Sequence, residues 1–159
     1  MFRKMRRFKQ QLPAEECVAI MKREKRGVLS VLGDDGYPYG VPLDHYYDEE
    51  NGKLYFHCAV AGHKLDAIRA CDKVSYCITG EGSHEDGVEW SLTFRSVIVF
   101  GRMHVLEDKE AALRLARLLG EKFTQDRAYL DNEVKQAGPR MLMLELTPEH
   151  ITGKRINES

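Results

Sequence analysis

The sequence predicts a mainly β protein, a β-barrel with peripheral α-helices, on three observations. β-rich runs are separated by the turn signals Gly33-Asp34-Asp35-Gly36 and Asn51-Gly52, which reverse the chain into hairpins. Antiparallel connections outnumber possible parallel crossovers, which disfavours a doubly wound sheet. With 159 residues, 43% of them hydrophobic, and neither an internal repeat nor a linker-like stretch, the chain reads as a single domain spanning 1–159.

The elements follow in order. Pro13 opens a helix whose first turn holds Glu15 and Glu16 and whose apolar face holds Cys17, Ile20 and Met21. Residues 28–32 and 37–47 form a hairpin. Pro38 and Pro42 in its second strand lack an N–H for a ladder, which implies an edge position or a bulge. Residues 53–58 make a third antiparallel strand. Leu65 and Ile68 mark a short helix over 63–71, and 74–79 returns to strand. A polar, acidic loop at 81–89 precedes a long β-rich run, 90–106, with a bulge expected at Gly101. A helix over 108–120 places Leu115, Leu118 and Leu119 on one face and allows a Glu110–Arg114 pair. Residues 121–136 hold some helix, Gly138-Pro139 ends it, and 141–146 is the last strand, leaving 148–159 as an unassigned tail.

Composition narrows the function. Charged residues make up 31% of the chain and cancel to a net charge of -1, so no global field calls for nucleic acid or an anionic membrane. The basic N-terminal arm, 1–12, is expected to be solvated and to pack on a partner subunit, since it lacks the extended basic face that nucleic acid needs. No apolar run approaches the roughly 20 residues of a bilayer span. The four cysteines show no CxxC spacing, and a reduced, cytoplasmic protein is expected.

Phosphate-loop, Rossmann, GxSxG and HExxH signatures are absent from the sequence, as is any zinc-finger spacing. No metal site is expected. Gly62-His63-Lys64 sits where strand and loop give way to a helix, whose free N–H groups, with a lysine and an imidazole beside them, suit a dianionic phosphate. Read by itself, the same tripeptide also suits an ordinary solvated corner. Arg95-Ser96 offers a second donor cluster, and whether the two converge cannot be read from spacing. Alternation sends His57 and Cys58 to opposite faces of their strand, with Cys58 the buried one.

Taken together, the arm Met1-Phe2-Arg3-Lys4-Met5-Arg6-Arg7, the stretch Gly33-Asp34-Asp35-Gly36-Tyr37-Pro38-Tyr39-Gly40-Val41-Pro42-Leu43, Tyr55-Phe56-His57, Gly62-His63-Lys64, Phe94-Arg95-Ser96-Val97-Ile98-Val99-Phe100-Gly101-Arg102 and His150-Ile151-Thr152-Gly153-Lys154 resemble one family. It is the FMN-binding split-barrel family related to pyridoxamine 5′-phosphate oxidase, in its branch of Nim-type 5-nitroimidazole resistance proteins. The resemblance implies a homodimer with two FMN sites at the subunit interface. It implies that Val41, Pro42 and Leu43 lie along the isoalloxazine and that His63 and Lys64 bind the FMN phosphate. Arg95, Ser96 and Val97 lie near the cofactor, and His57 and Cys58 lie close to the flavin, with His57 the candidate catalytic residue. Cys58 stands where a small hydroxyl residue is expected, Thr93 where an aromatic is, and the 81–89 loop is particular to this chain. The activity expected is flavin-dependent reduction of a small planar acceptor such as a nitroaromatic. The alternatives are a non-catalytic FMN- or haem-binding protein and a pyridoxamine 5′-phosphate oxidase-like enzyme.

Overall fold

A computed structural model describes residues 1–84 and 92–158. Part of the 81–89 loop and the start of the long strand expected from residue 90 lie outside these residues. Seven antiparallel strands form one sheet in the order β2-β1-β5-β6-β7-β4-β3. The strands are β1 (Arg26–Leu32), β2 (Pro38–Asp44), β3 (Tyr46–Asp48), β4 (Lys53–Ala59), β5 (Lys73–Thr79), β6 (Leu92–Val105) and β7 (Met141–Glu158). Four α-helices accompany them among the described residues: α1 (Ala14–Arg23), α2 (His63–Ala70), α3 (Lys109–Glu121) and α4 (Arg127–Ala137).

The predicted 37–47 strand is corrected in one decisive respect. It breaks at His45, and its two halves become the two outermost strands of the sheet, β2 on β1 and β3 on β4. One nearly continuous segment therefore joins opposite edges, and this curls the sheet into a barrel. Leu29, Val31, Leu54, Phe56, Tyr76, Ile78, Val97, Val99, Leu144 and Leu146 point into the interior, while α1 packs Cys17, Ile20 and Met21 against it. Outside the barrel, α3 lays Ala112 and Leu115 over Tyr55 and Met143.

His45 holds the break. Its backbone N–H donates to Lys25 O at 3.1 Å. Its ring is fully buried, with Nε2 2.7 Å from Met21 O and Nδ1 2.9 Å from the Tyr76 hydroxyl, which itself donates to Leu43 O at 2.7 Å. A carbonyl can only accept, so Nε2 carries the ring proton; Nδ1 of the neutral ring and Leu43 O then share the single Tyr76 hydroxyl proton as acceptors. Lys122, at the end of α3, donates from Nζ to Glu24 O (2.5 Å) and His45 O (2.8 Å), tying the same point from the outside.

Three further details depart from expectation. The unassigned tail is strand, because β7 continues past Pro148 and pairs with β6 to residue 158. The bulge lies where expected along β6, but the extra residue belongs to β7: the register shifts so that Glu149 is unpaired opposite Phe100 and Gly101. Gly101 is required there because a Cβ would collide with Thr147 O. Glu110 and Arg114 do not pair among the described residues; instead, Arg117 on α3 pairs with Glu121 and with Asp131 of α4. Apart from these, the arm touches β7 of its own chain, with Phe2 stacked on His150 at 4.7 Å and the Leu12 N–H donating to Gly153 O.

Burial, reinforced by the positive charge of Lys122, lowers the His45 pKa from the ordinary 6.5 to about 4, against the pull of Met21 O and Asp44. The unfolded chain therefore binds a proton that the folded one refuses between these values. The His45 contribution to stability should be constant above pH 6.5 and fall by up to about 3 kcal/mol as pH drops towards 4. Urea unfolding across this range checks the slope, which His45→Gln should flatten.

Candidate functional site

The break at His45 leaves two strand edges unpaired. β2 has a ladder only with β1, and β4 pairs with β3 only through residues 53–55, so its 56–59 edge has no strand partner among the described residues. Continued back through His45, the β3–β4 register would bring residues 42–44 alongside 57–59. β2 pairs with β1 instead, so no ladder joins these two edges, and the unladdered gap between them is the slot. Backbone N–H and C=O groups along both edges are available to a flat polar ring. Pro42, on the β2 side, presents no N–H.

One end of the slot is closed by α2. Gly62, at φ 143, turns the chain into this helix and offers no side chain to cap it. Leu65 and Asp66 N–H return to Gly62 O, whereas the first-turn N–H groups of His63 and Lys64 have no intrahelical acceptor. The His63 ring stacks on Tyr39 of β2 with centroids 4.2 Å apart, and its Nε2 lies 3.7 Å from an Asp34 carboxylate oxygen in the β1–β2 turn. A backbone donor pair, an imidazole and an ammonium thus gather at one end of a slot lined by strand edges. Tyr39 to Leu43 spans about 13 Å of strand.

The candidate residues sort accordingly. Val41 and Leu43 are half-buried against the core and Pro42 is exposed across from Val28, all three on the β2 edge. His57 is exposed on the outer face of β4, and Cys58 faces the core. Burial raises the Cys58 thiol pKa, opposed by Lys64 and Arg69. Because the thiol faces the core, it is the Cys58 backbone that borders the slot.

Arg95, Ser96 and Val97 are not brought to this place. Counting down the paired strands, Arg95 lies about six residues, or about 20 Å, from the level of Tyr39 and His63. Nor do Arg95 and Ser96 act side by side. Arg95 shares the inward side of β6 with Val97 and lies 3.4 Å from Glu16 of α1, whereas Ser96 points outward with Ile98. Sequence reasoning missed Tyr39 and Asp34. The only signal was their place in a turn-and-strand already credited with turn chemistry.

Comparison with known proteins defines the family and the fold. The family model described as pyridoxamine 5′-phosphate oxidase matches residues 13–155, and the chain belongs to that family. Its fold is the split β-barrel, as the resemblance implied. The structure is similar to that of a candidate 5-nitroimidazole antibiotic resistance protein from Bacteroides thetaiotaomicron, with a TM-score of 0.75 and 18% identity over 92% of this chain and 87% of that one. It is similar to a conserved hypothetical protein from Mycobacterium tuberculosis, with a TM-score of 0.80 and 16% identity over 95% and 90% of the two chains. It is also similar to an FAD-binding protein from Mesorhizobium loti, with a TM-score of 0.63 and 25% identity over 92% and 97%. No curated protein matches the sequence. No helix among the described residues is long and apolar enough to cross a membrane.

The thiol placement is directly testable. In the native protein Cys58 should react with a disulfide reagent at least about a hundredfold more slowly than in urea, and Cys58→Ala should leave ligand binding at the slot unchanged. Rapid native labelling of Cys58, located by peptide mapping, would put its side chain in the slot instead.

Proposed function

We propose that the protein is an FMN-dependent reductase that acts on a small planar acceptor such as a nitroaromatic. The observation that carries this reading is the slot itself: two unpaired strand edges leading to an uncapped helix N-terminus flanked by His63 and Lys64. The donor set suits a phosphate, with N–H groups and the positive helix end aimed at one place and an ammonium beside them. Edge backbone of β2 and β4 suits the polar rim of a tricyclic ring, and Val41 and Leu43 supply an apolar margin. The name of the Mesorhizobium loti protein extends the choice of flavin to FAD.

Bound flavin supplies the redox chemistry, in which a hydride and a proton together take a nitro group to a nitroso group with loss of water. The residues of this chain bind and orient. His63, held by its stack on Tyr39 and by Asp34, and Lys64 anchor the phosphate. His57, exposed on the outer face of β4, would hydrogen-bond the acceptor or deliver a proton to it.

A homodimer completes the reading. The outer sheet face leaves Val28 and Leu32 of β1 and Ile98 and Phe100 of β6 exposed on either side of β5, an apolar surface suited to a second copy. Arg95 and Ser96 are too far from His63 and Lys64 of their own chain to share a phosphate, so a cofactor role for them needs a partner's slot.

Lys64→Ala should weaken FMN binding about 10- to 100-fold, the worth of a charge-assisted hydrogen bond, as measured by flavin fluorescence on dilution. His57→Ala should change FMN affinity less than threefold while lowering nitroaromatic reduction by dithionite-reduced protein about a hundredfold. Equal loss of flavin in both variants, or no FMN or FAD released from denatured wild type, would end this assignment. In sedimentation, Ile98→Asp should shift a dimer to monomer; an unchanged species would place the interface elsewhere.

A further inference from the structure

Beyond the slot, α3 and α4 stand off the barrel and enclose a mainly apolar cavity of about 870 Å³ against β6 and β7, a size typical of small-molecule sites. Its walls include Leu106, Leu113, Val134, Pro139, Met141 and Met143. Leu130 is the only buried residue of α4, so that helix does not fill the space, and Leu113 and Val60 remain exposed at its margin.

Two relations give the cavity an occupant. The first is position. β4 and β7 pair His57 with Met143 and Ala59 with Met141, so the side chains of each pair are direct neighbours on one outer face. The methionine wall thus begins one side chain away from His57, and Val60 continues it from the same strand end. The second relation is charge. Four lining residues are charged, two of each sign, and Asp131 among them is already paired with Arg117; the remaining lining side chains carry no charge. Against those apolar walls an ionic group would lose hydration, whereas an uncharged apolar chain gains from every buried methylene.

We infer that this cavity receives the apolar substituent of an uncharged electron acceptor whose reducible end lies at His57. The inference rests on the proposed function for the reducible end and on the cavity alone for the substituent. It widens the substrate class from bare nitroaromatic rings to rings bearing an alkyl or similar tail, with chain length read out by the space between the helices.

A homologous series of 4-nitrophenyl alkyl ethers, methyl to hexyl, tests it by calorimetric titration into the purified holoprotein. The dissociation constant should fall up to about fourfold per added methylene until the cavity is full. Val134→Trp, which occupies the space from α4, should abolish this dependence while leaving the methyl ether's affinity and the flavin content unchanged. Should that variant fail to fold, Leu113→Glu places a charge in the wall and must give the same loss. A flat series in wild type, or a slope untouched by the folded variants, overturns the inference even if flavin is present. A normal slope that the variants abolish in a protein releasing no flavin would sustain the cavity and remove the reductase reading instead.

Discussion

A histidine without access to water, His45, sits where one extended segment becomes two strands belonging to opposite edges of a sheet, and the barrel depends on that junction. Extended chain would continue along a single neighbour unless something held it at the turning point. The ring does so through bonds to Met21 O and the Tyr76 hydroxyl, while Tyr76 secures Leu43 O on the near side of the break and Lys122 secures His45 O on the far side. Each of these polar groups is buried or half-buried and finds a partner, which is the condition under which polar groups specify a fold rather than weaken it. Desolvation makes the arrangement depend on a neutral imidazole.

The same junction makes the slot. Because β2 and β3 part company at His45, neither β2 nor the far half of β4 can satisfy its outer edge within the sheet. Exposed edges invite aggregation, and proteins usually blunt them. Here one edge carries two prolines and the other gives way to α2, so both are poor templates for another strand while remaining open to a ligand. Structural economy follows: the interruption that closes the barrel also provides the backbone donors and acceptors of the proposed cofactor site.

Much of this was legible in the residues, and what was not has physical causes. Asn51-Gly52 and the apolar run after it fix β4 almost to the residue, and Gly62-His63-Lys64 announces a helix start whatever the tertiary structure does. Two prolines in 37–47 correctly signalled an edge strand. Nothing local, however, says that the strand divides at a histidine, because the division is enforced by Tyr76 and Met21, which are distant in sequence. The far half of β7 escaped because Pro148 and the charges of Glu149, Lys154 and Arg155 mimic a solvated tail; only pairing with β6 makes it strand. Arg95 and Ser96 looked like one cluster since adjacency in sequence is visible and the alternation of faces matters only once a register exists. The cavity beneath α4 had no sequence signature at all, being defined by what the helix fails to fill.

Glu149 acts on β7 as a unit of phase. Before it, even-numbered residues of β7, Leu144 and Leu146, face the barrel interior; after it the odd-numbered ones do, with Ile151 packed on the core and Gly153 against Cys17. One inserted position therefore reverses the parity of everything downstream. It turns His150 out to meet Phe2 and Phe100, and keeps Ile151 in. The distal ribbon presents its apolar and polar sides in the right order only because the count is off by one, so its identity as a surface is stored in a single residue's presence rather than in that residue's chemistry.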